Sequence, residues 1–465
     1  MKHKTRFKLL LLPAVIVAAL GSNLFLTFSK PSRSEAAQPA SPKYIFIFLA
    51  DGAGITHMEI TRMFNRHVYK EGLTISDKIM KEGTVGLMTT HAADSLVTDS
   101  SAAATALACG CKTKNGEVGI CEDGTIPKTV MEVAKEKGMR IGLITNSTVY
   151  DASPAAFAGH VTNRRLYGPI IDQYLKLEPD ILFGGGRDQF LPKGQPGSRR
   201  TDDTDVIASF RKKGYAYVSD LQGLSRVKGT KTLGLFSLRD MSFELDRDTN
   251  SEPSLSDMTQ AAIGLLQEGN RRGFALFIEN ENIDSAGHMT DIASLIHAYR
   301  EFDRAVGLAY EFYKKHPAET LLLVTSDHET AGLGFTGNPS FEQLKKIQSI
   351  RISFSRAIEI LGPNPSSEAV DQLVAENFKG FLLRPDLKEA IIKKKSLGPA
   401  FPANPTATAL GAMVASQTQA YWLSAGHTNQ PVFVAALGVG AERFRGYQDN
   451  TDFAKHLFTL LRENK

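Results

Sequence analysis

The chain has 465 residues, 42% hydrophobic and 22% charged, enough for one large or two ordinary globular domains with a substantial core. Its formal charge of +4 lies in the first 36 residues, which hold six basic side chains against one acidic; beyond them 48 basic and 49 acidic residues leave a net charge of −1. A body so balanced excludes the basic surface of a nucleic-acid binder.

The opening MKHKTRFKLLLLPAVIVAAL is a basic segment followed by an apolar run at 9–20, and Ser34 and Ala36 offer a small-x-small cleavage site. This predicts a signal peptide over 1–36 and export to the periplasm, the cell envelope or the outside. An uncleaved membrane tether is the alternative, because apolar residues resume at 24–28 after Gly21, Ser22 and Asn23. A linker at 37–43 leads into one domain over 44–465.

That domain starts with YIFIFLA at 44–50, an unbroken apolar run of the kind found in a parallel strand covered on both faces. Similar runs are RIGLITN (140–146), DILFGGG (180–186), TLGLFS (232–237), FALFIEN (274–280), TLLLVTSDHE (320–329) and PVFVAALG (431–438). Helical patterns such as PKTVMEVAKEKG and SLIHAYREFDRAVGLAYEFYKK separate them. Strand alternating with helix predicts an α/β fold with a doubly wound, mostly parallel central sheet flanked by helices. The alternation stops over roughly 335–425, which reads as a helical insertion on the catalytic side. The glycines at 184–186 lack nucleotide-loop spacing and read as a turn.

Cys109, Cys111 and Cys121 lie close together. In an oxidising compartment a Cys111–Cys121 bridge around KTKNGEVGI is the expected pairing, with one thiol left free.

In doubly wound sheets, ligands bind at the carboxyl ends of the strands. There the chain places Asp51, Glu279, Asp284, His288, Asp327 and His328, with His427 just before the last strand. Two unpaired carboxylates about 4 Å apart repel by roughly 4 kcal/mol at an effective dielectric near 20. Converging acids therefore demand protons or cations, and the interspersed histidines favour zinc over calcium. There are too many ligands for one tetrahedral site, so two metals fit better than one. VTDSSAAATA at 97–106 then has two readings. Asp99 and Ser100 serve as ordinary helix caps, or Ser100 is a metal-activated nucleophile at a helix N-terminus.

Taken together these segments resemble the alkaline phosphatases, from about residue 44 onward apart from the insertion. LADGAG is similar to the family's first metal-binding turn and VTDSSAAATA to its nucleophile helix, which makes Ser100 the serine that is phosphorylated. STVYDASPAA places Asp151 and Ser153 beside a magnesium site, and HVTNRR makes Arg164 the arginine that holds the substrate phosphate. IENENIDSAGH supplies Glu279 for magnesium and Asp284 and His288 for one zinc, which His427 of SAGHTNQPV completes. TSDHE supplies Asp327 and His328 for a second zinc, with Asp51 bridging to magnesium. The resemblance implies hydrolysis of small-molecule phosphate monoesters through phosphoserine, two zinc ions and one magnesium, and a homodimer. Ser285 stands where relatives usually carry Lys or His. The alternatives are a phosphodiesterase on the same scaffold and an envelope protein that binds phosphate or metal without turnover. A sulfatase would need a CxPxR-like motif, which is absent around Ser100.

Overall fold

Along Tyr44–Ala50 every side chain is buried, and successive ones enter opposite cores. Phe46, Phe48 and Ala50 face one, Ile45, Ile47 and Leu49 the other. A strand with no polar face needs helices above and below it. The computed structural model, which describes residues 41–401 and 404–462, has both layers. The described residues belong to one compact unit spanning 39–465. The leader at 1–36 and residues 37–40 of the linker lie outside the described residues.

The sheet has ten strands: β1 Tyr44–Ala50, β2 Thr84–Met88, β3 Arg140–Thr148, β4 Ile181–Gly185, β5 Ala216–Val218, β6 Thr232–Leu235, β7 Phe274–Asn280, β8 Thr320–Thr325, β9 Val432–Gly438 and β10 Gly446–Gln448. Their order is β10-β2-β9-β8-β1-β7-β3-β4-β6-β5. The seven apolar runs form β1, β3, β4, β6, β7, β8 and β9. β9 is antiparallel to both its neighbours, and the other pairs are parallel. The strands the runs did not announce, β2, β5 and β10, lie at or next to the sheet edges.

On one face Ile292–Lys315 carries Leu295, Tyr299, Phe302 and Val306 inward at helical spacing, and Phe302 packs edge-on against Phe48 at 5.8 Å. On the other face Ser100–Cys109 and Ala152–Ala158 pack together, and all their residues are buried. Small side chains allow that close approach. Between the paired strands Gly334–Phe335 and Ala420–Tyr421 the described residues form five α-helices, from Phe341–Lys346 to Pro405–Thr418. Cys111 and Cys121 are bridged, and Cys109 is a buried free thiol. Among the described residues, no helix is long and apolar enough to cross a membrane.

Candidate active site

Three adjacent parallel strands, β8, β1 and β7, end together, and the residues that follow them form the floor of the site. After β1 the chain turns sharply at Gly52, whose φ is +72°. A Cβ there would fall 2.5 Å from Asp284 Oδ1, so both the backbone and the space require glycine. The turn presents Asp51, and Gly52 N donates to Asp327 Oδ1 at 3.1 Å.

Asp51, Asp327 and His328 form one buried group. His328 Nε2 lies 3.2 Å from Asp327 Oδ2, 3.7 Å from Asp51 Oδ1 and 3.2 Å from Ser100 Oγ. Asp51 Oδ1 and Asp327 Oδ2 are buried without a hydrogen-bond partner. Burial, together with the neighbouring acids, raises both carboxyls, Asp327 to about 7. Burial first, and His427 second, pushes the His328 ring well below its ordinary value. Neutral imidazole beside orphaned carboxylate oxygens is the donor set of a divalent cation.

Asp284, His288 and His427 form the second group. His288 Nδ1 donates to Ala425 O and His427 Nδ1 to Thr98 O, each at 2.8 Å. Carbonyl oxygens only accept, so each Nδ1 carries a proton and each neutral ring keeps a lone pair on Nε2. Those two Nε2 atoms face each other at 3.1 Å, and His288 Nε2 also lies 3.1 Å from Asp284 Oδ2. Burial opposes the Asp284 charge, yet His288, His427 and His328 outweigh it and hold the carboxyl low. Asp284 in turn pushes His288 up to about 9. The two groups adjoin, since the His328 and His427 rings stack with centroids 3.7 Å apart.

A third set surrounds Asp51 Oδ2, which accepts from Ser153 Oγ at 3.4 Å. Glu279 is fully buried. Its Oε2 accepts from Thr145 Oγ1 at 2.6 Å and its Oε1 has no partner. Burial, then Asp151, raises its carboxyl to about 8. The residues present therefore suit cations in all three places.

Asp99 caps the Ser100 helix by accepting from Ala102 N at 2.9 Å, so the capping reading holds for Asp99. Ser100 itself, the first residue of the helix, directs its hydroxyl at His328. Arg164 donates Nη1 to Asp99 Oδ2 at 3.3 Å and Nη2 to Asp151 Oδ1 at 3.1 Å. Burial weakens its charge, but Asp151 and Asp99 hold the guanidinium above its ordinary range. Ser100, Asp151, Arg164, Asp284, His288 and His427 all line one cleft of about 450 Å³.

A profile of the alkaline phosphatases matches residues 42–462. The chain belongs to the alkaline phosphatase family. It is 31% identical to alkaline phosphatase 4 of Bacillus subtilis, over 98% of this chain and 97% of that protein. It is 37% identical to the repressible alkaline phosphatase of Saccharomyces cerevisiae, over 63% of this chain and 55% of that one. The crystal structure of Thermus thermophilus alkaline phosphatase superposes with a TM-score of 0.82 at 29% identity, covering 92% of each chain.

Within this family member, sequence reasoning missed several residues that shape the cleft. Glu281, two residues past Glu279, accepts from Ser285 Oγ at 2.7 Å through Oε1, while its Oε2 has no partner. Burial first, and Asp240 second, raises its carboxyl well above the usual range. Ser285 thus serves Glu281. Asp240 accepts from Ser147 Oγ at 3.0 Å, and Thr330 Oγ1 donates to Asp284 Oδ1. Only the place of Glu281 at a strand end was a readable signal.

Proposed function

We propose that the chain hydrolyses phosphate monoesters to an alcohol and inorganic phosphate, with Ser100 as the nucleophile. The observation that carries this reading is Ser100 Oγ at 3.2 Å from His328 Nε2, beside buried carboxylate oxygens that lack partners. Asp51, Asp327 and His328 would hold one zinc, Asp284, His288 and His427 the other, and Asp51, Ser153 and Glu279 a magnesium. When bound, these cations neutralise the buried acids, lower the pKa of hydroxyl and water groups and stabilise charge on the departing oxygen.

Ser100 Oγ attacks phosphorus as the bond to the alcohol oxygen breaks, leaving phosphoserine and the free alcohol. Water then attacks the same phosphorus, releasing inorganic phosphate and restoring the serine. Arg164 holds the phosphoryl group with the remaining donors of its planar fork, which Asp99 and Asp151 keep aimed into the cleft. The N-terminus of the Ser100–Cys109 helix favours the phosphate charge. Monoester hydrolysis is among the slowest uncatalysed reactions, with enzymatic accelerations up to ~10²¹, and charge stabilisation on this scale suits it.

The leader and the Cys111–Cys121 bridge support a place outside the reducing cytoplasm. The homodimer belongs to this reading through the family alone. Comparing p-nitrophenyl phosphate with bis-p-nitrophenyl phosphate tests it. Faster cleavage of the monoester is expected, and faster cleavage of the diester would overturn it.

A further inference from the structure

The cleft that Ser100 and Arg164 line is also lined by Tyr150 and by two further arginines, Arg199 and Arg239. Both approach the same oxygen, Oδ2 of the buried Asp188, Arg199 at 3.9 Å and Arg239 at 3.8 Å through Nε. These separations exceed hydrogen-bond reach. The other oxygen of Asp188 is already taken by the Tyr150 hydroxyl at 2.6 Å. One carboxylate therefore faces two guanidiniums, and a positive charge is left over. Each guanidinium carries five N–H donors, and no side-chain hydrogen bond joins either arginine to the described residues. The side chains are 57% and 59% exposed, so their heads stand free in the mouth of the cleft.

Among the described residues no other acid of the cleft forms an ion pair with Arg199 or Arg239. Asp151 is paired with Arg164, Asp240 accepts from Ser147 and Glu281 accepts from Ser285. Arg239 also lines a second groove, which His288 lines as well. With the phosphoryl group held at Ser100 and Arg164, the rest of the cleft receives the alcohol portion.

We infer that Arg199 and Arg239 form a subsite for a second oxyanion, phosphate or carboxylate, carried on the alcohol portion of the substrate. The inference rests on the phosphatase reading above and narrows it to monoesters that carry a second anionic group. Two planar forks converging on one point suit a tetrahedral or planar oxyanion, whose oxygens accept two N–H donors from each. Asp188 serves as the anchor that keeps the forks together while no substrate is bound.

The test compares kcat/KM for phenyl phosphate, para-carboxyphenyl phosphate and hydroquinone bisphosphate in the metal-loaded wild type and in Arg199→Gln/Arg239→Gln. Dividing wild type by variant for each ester cancels its leaving-group reactivity. The expected ratio is about tenfold larger for an ester with the second anionic group than for phenyl phosphate, and smaller at high salt. A gain for only one of the two esters with a second anionic group identifies the oxyanion as phosphate or carboxylate. Equal ratios for all three esters overturn the inference and leave the phosphatase reading standing. No hydrolysis of any ester by the wild type overturns both. If thermal unfolding shows the double variant misfolded, Arg239→Gln alone carries the same comparison.

Discussion

His288 and His427 point their Nε2 atoms at each other across 3.1 Å, with each Nδ1 committed to a backbone carbonyl. Beside Asp284, that gap must hold either a proton on His288 or a bound cation, and the proposed zinc takes the place of the proton. Chelation is therefore expected to abolish hydrolysis and to lower the thermal midpoint, because the buried acids then repel. Activity and calorimetry before and after chelation, with metal analysis, check this. Full activity in metal-free protein would refute the assigned ligand sets.

Ser100→Ala removes the attacking oxygen and leaves the cap at Asp99 intact. Turnover is expected to fall at least about a thousandfold with little change in stability. Acid-quenched protein should no longer carry [³²P]phosphate from labelled substrate. Label persisting in the variant would assign the nucleophile elsewhere.

Arg164→Lys keeps the charge but loses the fork that Asp99 and Asp151 orient. A loss of about tenfold or more in kcat/KM is expected. Asp99→Ala should act in the same direction and also cost about 1 kcal/mol of stability through the lost helix cap. Steady-state kinetics and denaturant unfolding separate the two effects.

Asp303 accepts from Thr74 N and Ile75 N, yet burial pushes its carboxyl up to about 6. The folded chain thus holds this proton more tightly than the unfolded chain, where the carboxyl titrates near ~3.9. Its contribution is fully present below about pH 4 and is lost as pH rises through about 6, on the order of 1–3 kcal/mol. Asp303→Asn should flatten part of the decline in stability over that window. Urea unfolding at a series of pH values measures the slope, and an unchanged slope would refute the assignment.

Cys111 and Cys121 close a short loop, ten residues apart in sequence. Replacing both with serine should lower stability by about 2–3 kcal/mol. Burial raises the Cys109 thiol to about 12, so alkylating reagents should reach it only after unfolding. Timed labelling of native and denatured protein checks this.

The central strands were legible because both their faces are buried, which leaves no polar residue to interrupt the pattern. β2 escaped notice for the opposite reason: Val85 and Leu87 are 43% and 37% exposed, so its apolar residues line a solvent-facing side. The edge strands β5 and β10 have three residues each, too short for a periodic signal. At the site, Asp51, Ser100, Asp284 and His328 stand in recognisable segments. The placement of Asp188, Arg199 and Arg239 was invisible, since only the folded loops bring Arg199 and Arg239 to one oxygen. In the sequence Asp99 reads only as a cap. Its second bond, to Arg164, joins residues 65 positions apart and no local pattern announces it.

Tyr44 pairs level with both Phe274 and Thr320, so β7, β1 and β8 start in line. A slip of a single residue in either pairing would displace one set of oxygens by about 3.3 Å and turn its side chains to the opposite layer. No ion could then be gripped by both partners. Catalytic competence thus doubles as a proofreader of strand alignment, and misthreaded chains would announce themselves by silence in the simplest colour assay.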